Sequence, residues 1–227
     1  TDMMYAVKEI CPSVAKPTVV SWKKLKRLGR YLQGQPRLST QYGGQGGEEQ
    51  ILGYSDSDWA GCKVTGKSTS GGVIMIGDHF IKGWSRTQNH VTTSSAEAEL
   101  IALVKCTAES LGIKSMANDW GHELGVTLYA DSSAALAIAK RKGAGKLRHI
   151  NVSSLWIQDI QDREGAQYFK IEGTKNPSDL MTKYLTRDVI NGHMERLGQE
   201  VREGRAAKGG EVQGTNHGMS GGDDANV

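Results

Sequence analysis

The sequence has no apolar run of the roughly 18 residues that a membrane-crossing helix needs, so no transmembrane span is expected. Its first residues, TDMMYAVKEI, lack a basic stretch followed by an apolar one, so no secretory leader is expected. The chain does not begin with Met, which leads us to expect a piece of something longer. Cysteine is scarce: Cys11, Cys62 and Cys106 are odd in number and form no CxxC pair. That speaks against a disulfide framework and a zinc ribbon, and a reducing compartment fits better. No histidine stands at metal-ligand spacing from another. Neither sign of charge dominates: the net charge of +3 over 227 residues points only weakly to a polyanionic partner.

With 37% hydrophobic and 23% charged residues, the chain has the means for one packed α/β domain with appendages at both ends. Residues 1–40 contain a helical stretch beginning at Ser21, with Leu25, Leu28 and Leu32 at helical spacing. Lys23, Lys24, Lys26, Arg27 and Arg30 decorate its other faces, as a solvated surface or as a contact to a phosphate backbone. A Gly-rich linker follows over 41–49. Residues 50–185 carry the strongest patterns. ILGYSD (51–56) reads as a strand, and 69–85 as a hairpin turning at Gly77 and Asp78. A long helix is expected over 94–120, with Ala96, Leu100, Leu103, Val104 and Leu111 toward a core. Thr107, the polar member of that stripe, is expected to bury by bonding a carbonyl one turn back. Strands are expected at 126–131 and 166–173, and helices at 134–141, 150–165 and 177–185. This alternation demands parallel strand pairs with helices on the faces of the sheet. Residues 186–204 suggest another helix, and the remainder to 227, with almost nothing to bury, reads as disordered.

Acids stand at the ends of these elements. Asp56 and Asp131 end strands, Glu99 lies in the first turns of the long helix, and Asp179 opens the last short helix. Singly, each has an ordinary structural reading as a turn residue, a cap or a complement to a helix dipole. Jointly, strand ends and helix starts converge on one edge of an α/β sheet. Carboxylates gathered there repel one another unless cations bind. Hard oxygen ligands of this kind select magnesium or manganese.

The motifs GYSDSDWAG (53–61), GKSTSGG (66–72), TTSSAEAELIAL (92–103), LYADSSAALAIA (128–139), LRHI (147–150) and KNPSDLMTKYL (175–185) resemble, in order, the ribonuclease H domain of copia-type LTR retrotransposon Pol polyproteins. The segment before them resembles the end of the reverse transcriptase part of such polyproteins. The resemblance implies a ribonuclease H-like α/β fold, a five-stranded mixed sheet with helices on both faces. It implies a set of four acids at Asp56, Glu99, Asp131 and Asp179, with Asp58 and Glu97 as second choices. It implies hydrolysis of the RNA strand of RNA–DNA hybrids with two Mg2+ (or Mn2+) ions, one activating a water and the other stabilising the leaving 3′ oxygen. The implied partners are the hybrid and the rest of the Pol polyprotein, including reverse transcriptase. The implied location is intracellular, in a cytoplasmic virus-like particle. Lys67, Ser68, Thr69, Ser70, Arg86, Gln88, Asn89 and His149 are candidate substrate contacts.

The chain also departs from the family pattern. Its 148–159 stretch is RHINVSSLWIQD, so Asn151 and Leu155 replace an Asp and a His of the family, and Gly83 replaces a Trp. The loop EGTKNPS lacks the His that some ribonucleases H place before the last carboxylate, so His149 reads as structural or as a hybrid contact. A catalytically decayed module that binds nucleic acid or scaffolds the polyprotein is therefore the competing function. A transposase- or integrase-type nuclease would need a late Glu where Asp179 stands. No Y-x-D-D-like turn is present, so the chain is not expected to polymerise DNA.

Overall fold

A computed structural model describes residues 1–35, 37–44, 47, 50–143 and 155–203. The central strand is β2 (Gln50–Asp58), which follows α1 (Met4–Ile10), α2 (Val19–Gly34) and the short β1 (Leu38–Thr40). Then come β3 (Thr69–Ile76), β4 (His79–Thr87), the 25-residue α3 (Ser95–Asp119), β5 (Gly125–Ala130) and α4 (Ser133–Lys140). The described chain continues with α5 (Ile157–Glu164), β6 (Gln167–Lys170), a 3-10 turn (Pro177–Met181), α6 (Arg187–Arg196) and β7 (Gln199–Val201). The five-stranded sheet runs in the order β4-β3-β2-β5-β6. β2 and β3 are antiparallel, as are β3 and β4, whereas β5 runs parallel to both β2 and β6. The sheet is therefore five-stranded and mixed, with helices on both of its faces, as expected from the sequence.

The sequence explains the layering. β3 reads VIMI without alternation because both of its faces are covered. Ile74 joins one core with Leu100, Leu103 and Cys106 of α3, Leu128 of β5 and Leu136 of α4. Val73 and Met75 join the other, with Leu180, Met181, Met194 and Leu197. The hairpin turns at Gly77 and Asp78, as its residues suggest, and Gly77 takes a left-handed φ of 55°. Ser94 caps α3 by accepting from the Glu97 amide, and Ser132 caps α4 by accepting from the Ala135 amide. Each cap contributes about 1 kcal/mol. Thr107 is buried and donates to the Leu103 carbonyl at 2.9 Å, one turn back as expected.

Several elements differ from their sequence expectations. The 177–185 segment forms a short 3-10 turn, not an α-helix; Asn176 caps it, and Pro177 stands at its first turn. The helix expected over 186–204 stops at Arg196, because Gly198 adopts a left-handed φ of 62° and reverses the chain. The next residues form β7, which pairs antiparallel with β1, a contact that the local pattern did not announce. α5 begins at Ile157, while residues 150–154, His149 and the segment after Glu203 lie outside the described residues. The basic helix α2 starts at Val19, capped by Thr18, slightly before the expected Ser21. α1 packs on β4 and on the Pro177–Met181 turn, burying Tyr5. Among the described residues no helix is long and apolar enough to cross a membrane.

Candidate active site

Parallel pairing of β2 with β5 sets Ser55 beside Ala130, so Asp56 and Asp131 emerge together at one edge of the sheet. α3 crosses back over β2 and delivers Glu99 from its second turn. Asp56, Glu99 and Asp131 each place an oxygen within 4.8 Å of the others. Glu99 Oε1 accepts the Ser57 amide at 3.2 Å. Its Oε2 is buried and has no hydrogen-bond partner among the described residues.

The fourth acid joins this group through a cation. Lys183 Nζ donates to Asp179 at 2.8 Å and lies 3.3 Å from Asp56. The Thr182 hydroxyl donates to the second oxygen of Asp56. The Pro177–Met181 turn is pinned to β2 because Asn176, fully buried, donates its amide to the Ser55 carbonyl at 2.9 Å. Its oxygen meanwhile accepts from the Ser178 amide and hydroxyl, holding the turn. The turn comes this close because Gly71 faces it. A Cβ there would lie 2.6 Å from both Met181 Cβ and Thr182 Cγ2.

Electrostatics follow from crowding. Burial raises Asp56 to about 7; the charges of Asp179 and Asp131 add to this, against Lys183 and the Thr182 hydroxyl. Burial raises Glu99 to about 8, helped by Asp56. Burial opposes the charge of Lys183, but Asp56 and Asp179 outweigh it and hold the ammonium above the usual lysine range. Three acids, one orphaned buried oxygen and hard oxygen chemistry make a site that fits divalent cations.

The second-choice acids lie outside the group of three. Glu97 turns back to accept the Thr93 amide and hydroxyl at 2.7 and 3.0 Å, closing the start of α3. Asp58 is half-buried beside Gly61, where a Cβ would collide with its carboxylate. The polar loop candidates divide by exposure. Ser68 is buried between the Ala60 amide and the Thr92 hydroxyl. Thr69 accepts from Lys8, and Ser70 accepts from Gln88, which also donates to the Ala98 carbonyl. These four side chains make their contacts inside the protein. Lys67 is half-buried, and Arg86 and Asn89 are exposed. Lys183, Thr182 and Asn176 were not singled out from sequence; the signal available was the four-residue spacing of Asp179 and Lys183 on one turn.

No family model matches the chain. It is 29% identical over 199 residues to the retrovirus-related Pol polyprotein from transposon TNT 1-94 of Nicotiana tabacum, a match covering 87% of this chain and 15% of that polyprotein. It is 28% identical over 200 residues to the Pol polyprotein from transposon RE2 of Arabidopsis thaliana, covering 87% of this chain and 14% of that polyprotein. The chain thus spans about a seventh of the length of these relatives. Among solved structures, a ribonuclease H1 isolated from compost aligns with a TM-score of 0.46 at 19% identity, covering 59% of this chain and 93% of that one. Over 87% of its length the chain is thus similar to one part of the retrovirus-related Pol polyproteins of transposons, and its sheet order gathers acids from β2, α3 and β5.

Proposed function

We propose that the chain hydrolyses the RNA strand of RNA–DNA hybrids during the reverse transcription of a copia-type element. The observation that carries this reading is the meeting of Asp56, Glu99 and Asp131 within 4.8 Å, with one Glu99 oxygen buried and unpartnered. Those three carboxylates, with Asp179 beside them, would hold Mg2+ or Mn2+. Two such ions, when bound, supply an activated water and a counter-charge for the scissile phosphate.

The chain's own residues supply the positioning. Asn176 and Gly71 set the height of the turn that carries Asp179. Thr182 orients the Asp56 carboxylate, and Lys183 holds Asp56 and Asp179 at one corner. Lys67, Arg86 and Asn89, outside the core, remain candidates to meet substrate phosphates. Discrimination of RNA from DNA would rest on the 2′-hydroxyl and on groove shape, because base edges carry no such information. The family resemblance supports residues 1–40 as the end of a reverse transcriptase portion, and the remaining Pol polyprotein as partner within a virus-like particle.

The test is cleavage of an end-labelled RNA–DNA hybrid with and without magnesium. Wild-type chain is expected to cut only with the ion, and Asp131→Asn to lose at least about 100-fold in rate, as for loss of one charge-stabilising group. Hybrid binding without any cleavage would instead support the decayed, binding-only module. Equal rates in the Asp131→Asn variant would remove the site assignment.

A further inference from the structure

The helix α2 plays no part in the site described above, yet its charge is lopsided. Its sixteen residues contain no Asp or Glu, while Lys23, Lys24, Lys26, Arg27 and Arg30 are all exposed. At 3.6 residues per turn, Lys23, Lys26, Arg27 and Arg30 fall within an arc of about 100°. Like charges at these spacings repel, so the face gains from a partner of opposite sign. Among the described residues none of the five is in an ion pair. The acids nearest this helix already have partners: Asp2 accepts from the Tyr31 hydroxyl, and Glu9 pairs with Lys8.

The position of this face matters as much as its charge. Lys24 and Arg27 line a cavity of about 280 Å³ between α1, α2 and the 180–190 segment. Lys183, bonded to Asp56 and Asp179, lines the same cavity. One member of the basic face, Arg27, therefore shares a cavity with the lysine that holds two of the acids. From Lys23 to Arg30 the helix advances about 10 Å, a length over which a nucleic-acid duplex presents roughly six phosphate charges. Trp22, about half exposed with Lys26 Nζ 5.6 Å from its ring centre, adds an aromatic edge beside these cations.

We propose that α2 is a second nucleic-acid contact, gripping the phosphate backbone of the RNA–DNA hybrid beside the acidic site. This rests on the nuclease reading for the identity of the duplex. The competing occupant is a protein docked on the exposed Trp22, Leu25 and Leu32. Charge density favours the polyanion.

The test uses the full 227-residue chain carrying Asp131→Asn, with hybrid binding read by fluorescence anisotropy from about 50 to about 200 mM salt. Replacing all five cations by Gln is expected to weaken binding more than about tenfold and to lower the slope of log affinity against log salt by about 4 to 5. K23R/K24R/K26R, which keeps the charge, is expected to bind as the parent does. Should the five-fold variant fail to fold, K26Q and R30Q carry the test singly, each lowering the slope by about 0.9. An unchanged slope and affinity in folded Gln variants would overturn the inference and assign the surface to a protein. Cleavage is not read here: binding through α2 by a chain that never cuts sinks only the nuclease reading, and cutting with an unaltered salt slope sinks only this one.

Discussion

Glu99 is the residue on which burial and charge pull in opposite directions. Its carboxyl is raised from 4.5 to about 8 and that of Asp56 from 3.8 to about 7, both chiefly by burial. A carboxyl that binds its proton more tightly when folded stabilises the fold fully below its unfolded value. That stability is lost as pH rises through the folded value. The metal-free chain is therefore expected to lose Tm between about pH 4 and about pH 8, and magnesium at pH 8 is expected to restore it by binding the folded state. Glu99→Gln cannot ionise, so in EDTA at pH 8 its Tm should exceed that of wild type, and the gain on adding magnesium should shrink. A thermal melt series across pH, with and without the ion, checks both statements. Parallel melting curves for the two proteins would show that Glu99 carries neither effect.

At the level of elements, the paired glycines of β3 allow two close approaches from opposite sides of the sheet. A Cβ on Gly71 would meet the Pro177–Met181 turn, and one on Gly72 would lie 2.0 Å from the Trp84 ring. These contacts explain why a strand of otherwise bulky residues contains GG. Gly71→Ala must lift the turn that carries Asp179, Thr182 and Lys183. It is expected to cost about 1–3 kcal/mol by overpacking, seen in denaturant melts, and to reduce cleavage beyond what the stability loss explains. Gly72→Ala presses instead on Trp84, away from that turn, so it should lower stability with a smaller effect on the rate of the folded fraction. If Gly71→Ala cuts as fast as wild type, the turn does not need its observed height.

Across the whole molecule, the first forty residues are built into the domain. Tyr5 is 8% exposed, Met4 packs on the second core, and β1 supplies the partner of β7. Fully burying one large apolar side chain contributes about 1.5–3 kcal/mol, and about 1 kcal/mol moves Tm by about 2–4 °C in a chain of this size. A truncated chain beginning at Gln50 is thus expected to melt at least about 5 °C below the full chain. Equal Tm values would mean that α1 and β1 add nothing to the fold. The same truncation removes α2, so the salt dependence of its hybrid affinity should also fall.

Sequence alone determined which short-range elements form. The VIMI run, the Gly77–Asp78 turn, the Ser94 cap and the buried Thr107 all follow from side chains that interact within a few residues. Resemblance named the four acids and preferred Glu99 to Glu97, but neither it nor local pattern could bring Asp56, Glu99 and Asp131 together. The fold decided that, by setting β2 parallel to β5 and laying α3 across them, so that Glu99 faces Asp56 while Glu97 closes its own helix. Lys183 escaped notice for the same reason. A lysine one turn after an Asp reads as a surface ion pair, and its second partner, Asp56, lies 127 residues away. β1 and β7 are three residues each, too short for any periodicity, and exist only because distant chain ends pair. Side-chain chemistry is written locally, whereas the spacing between charges is a property of strand pairing and packing, which no local window contains.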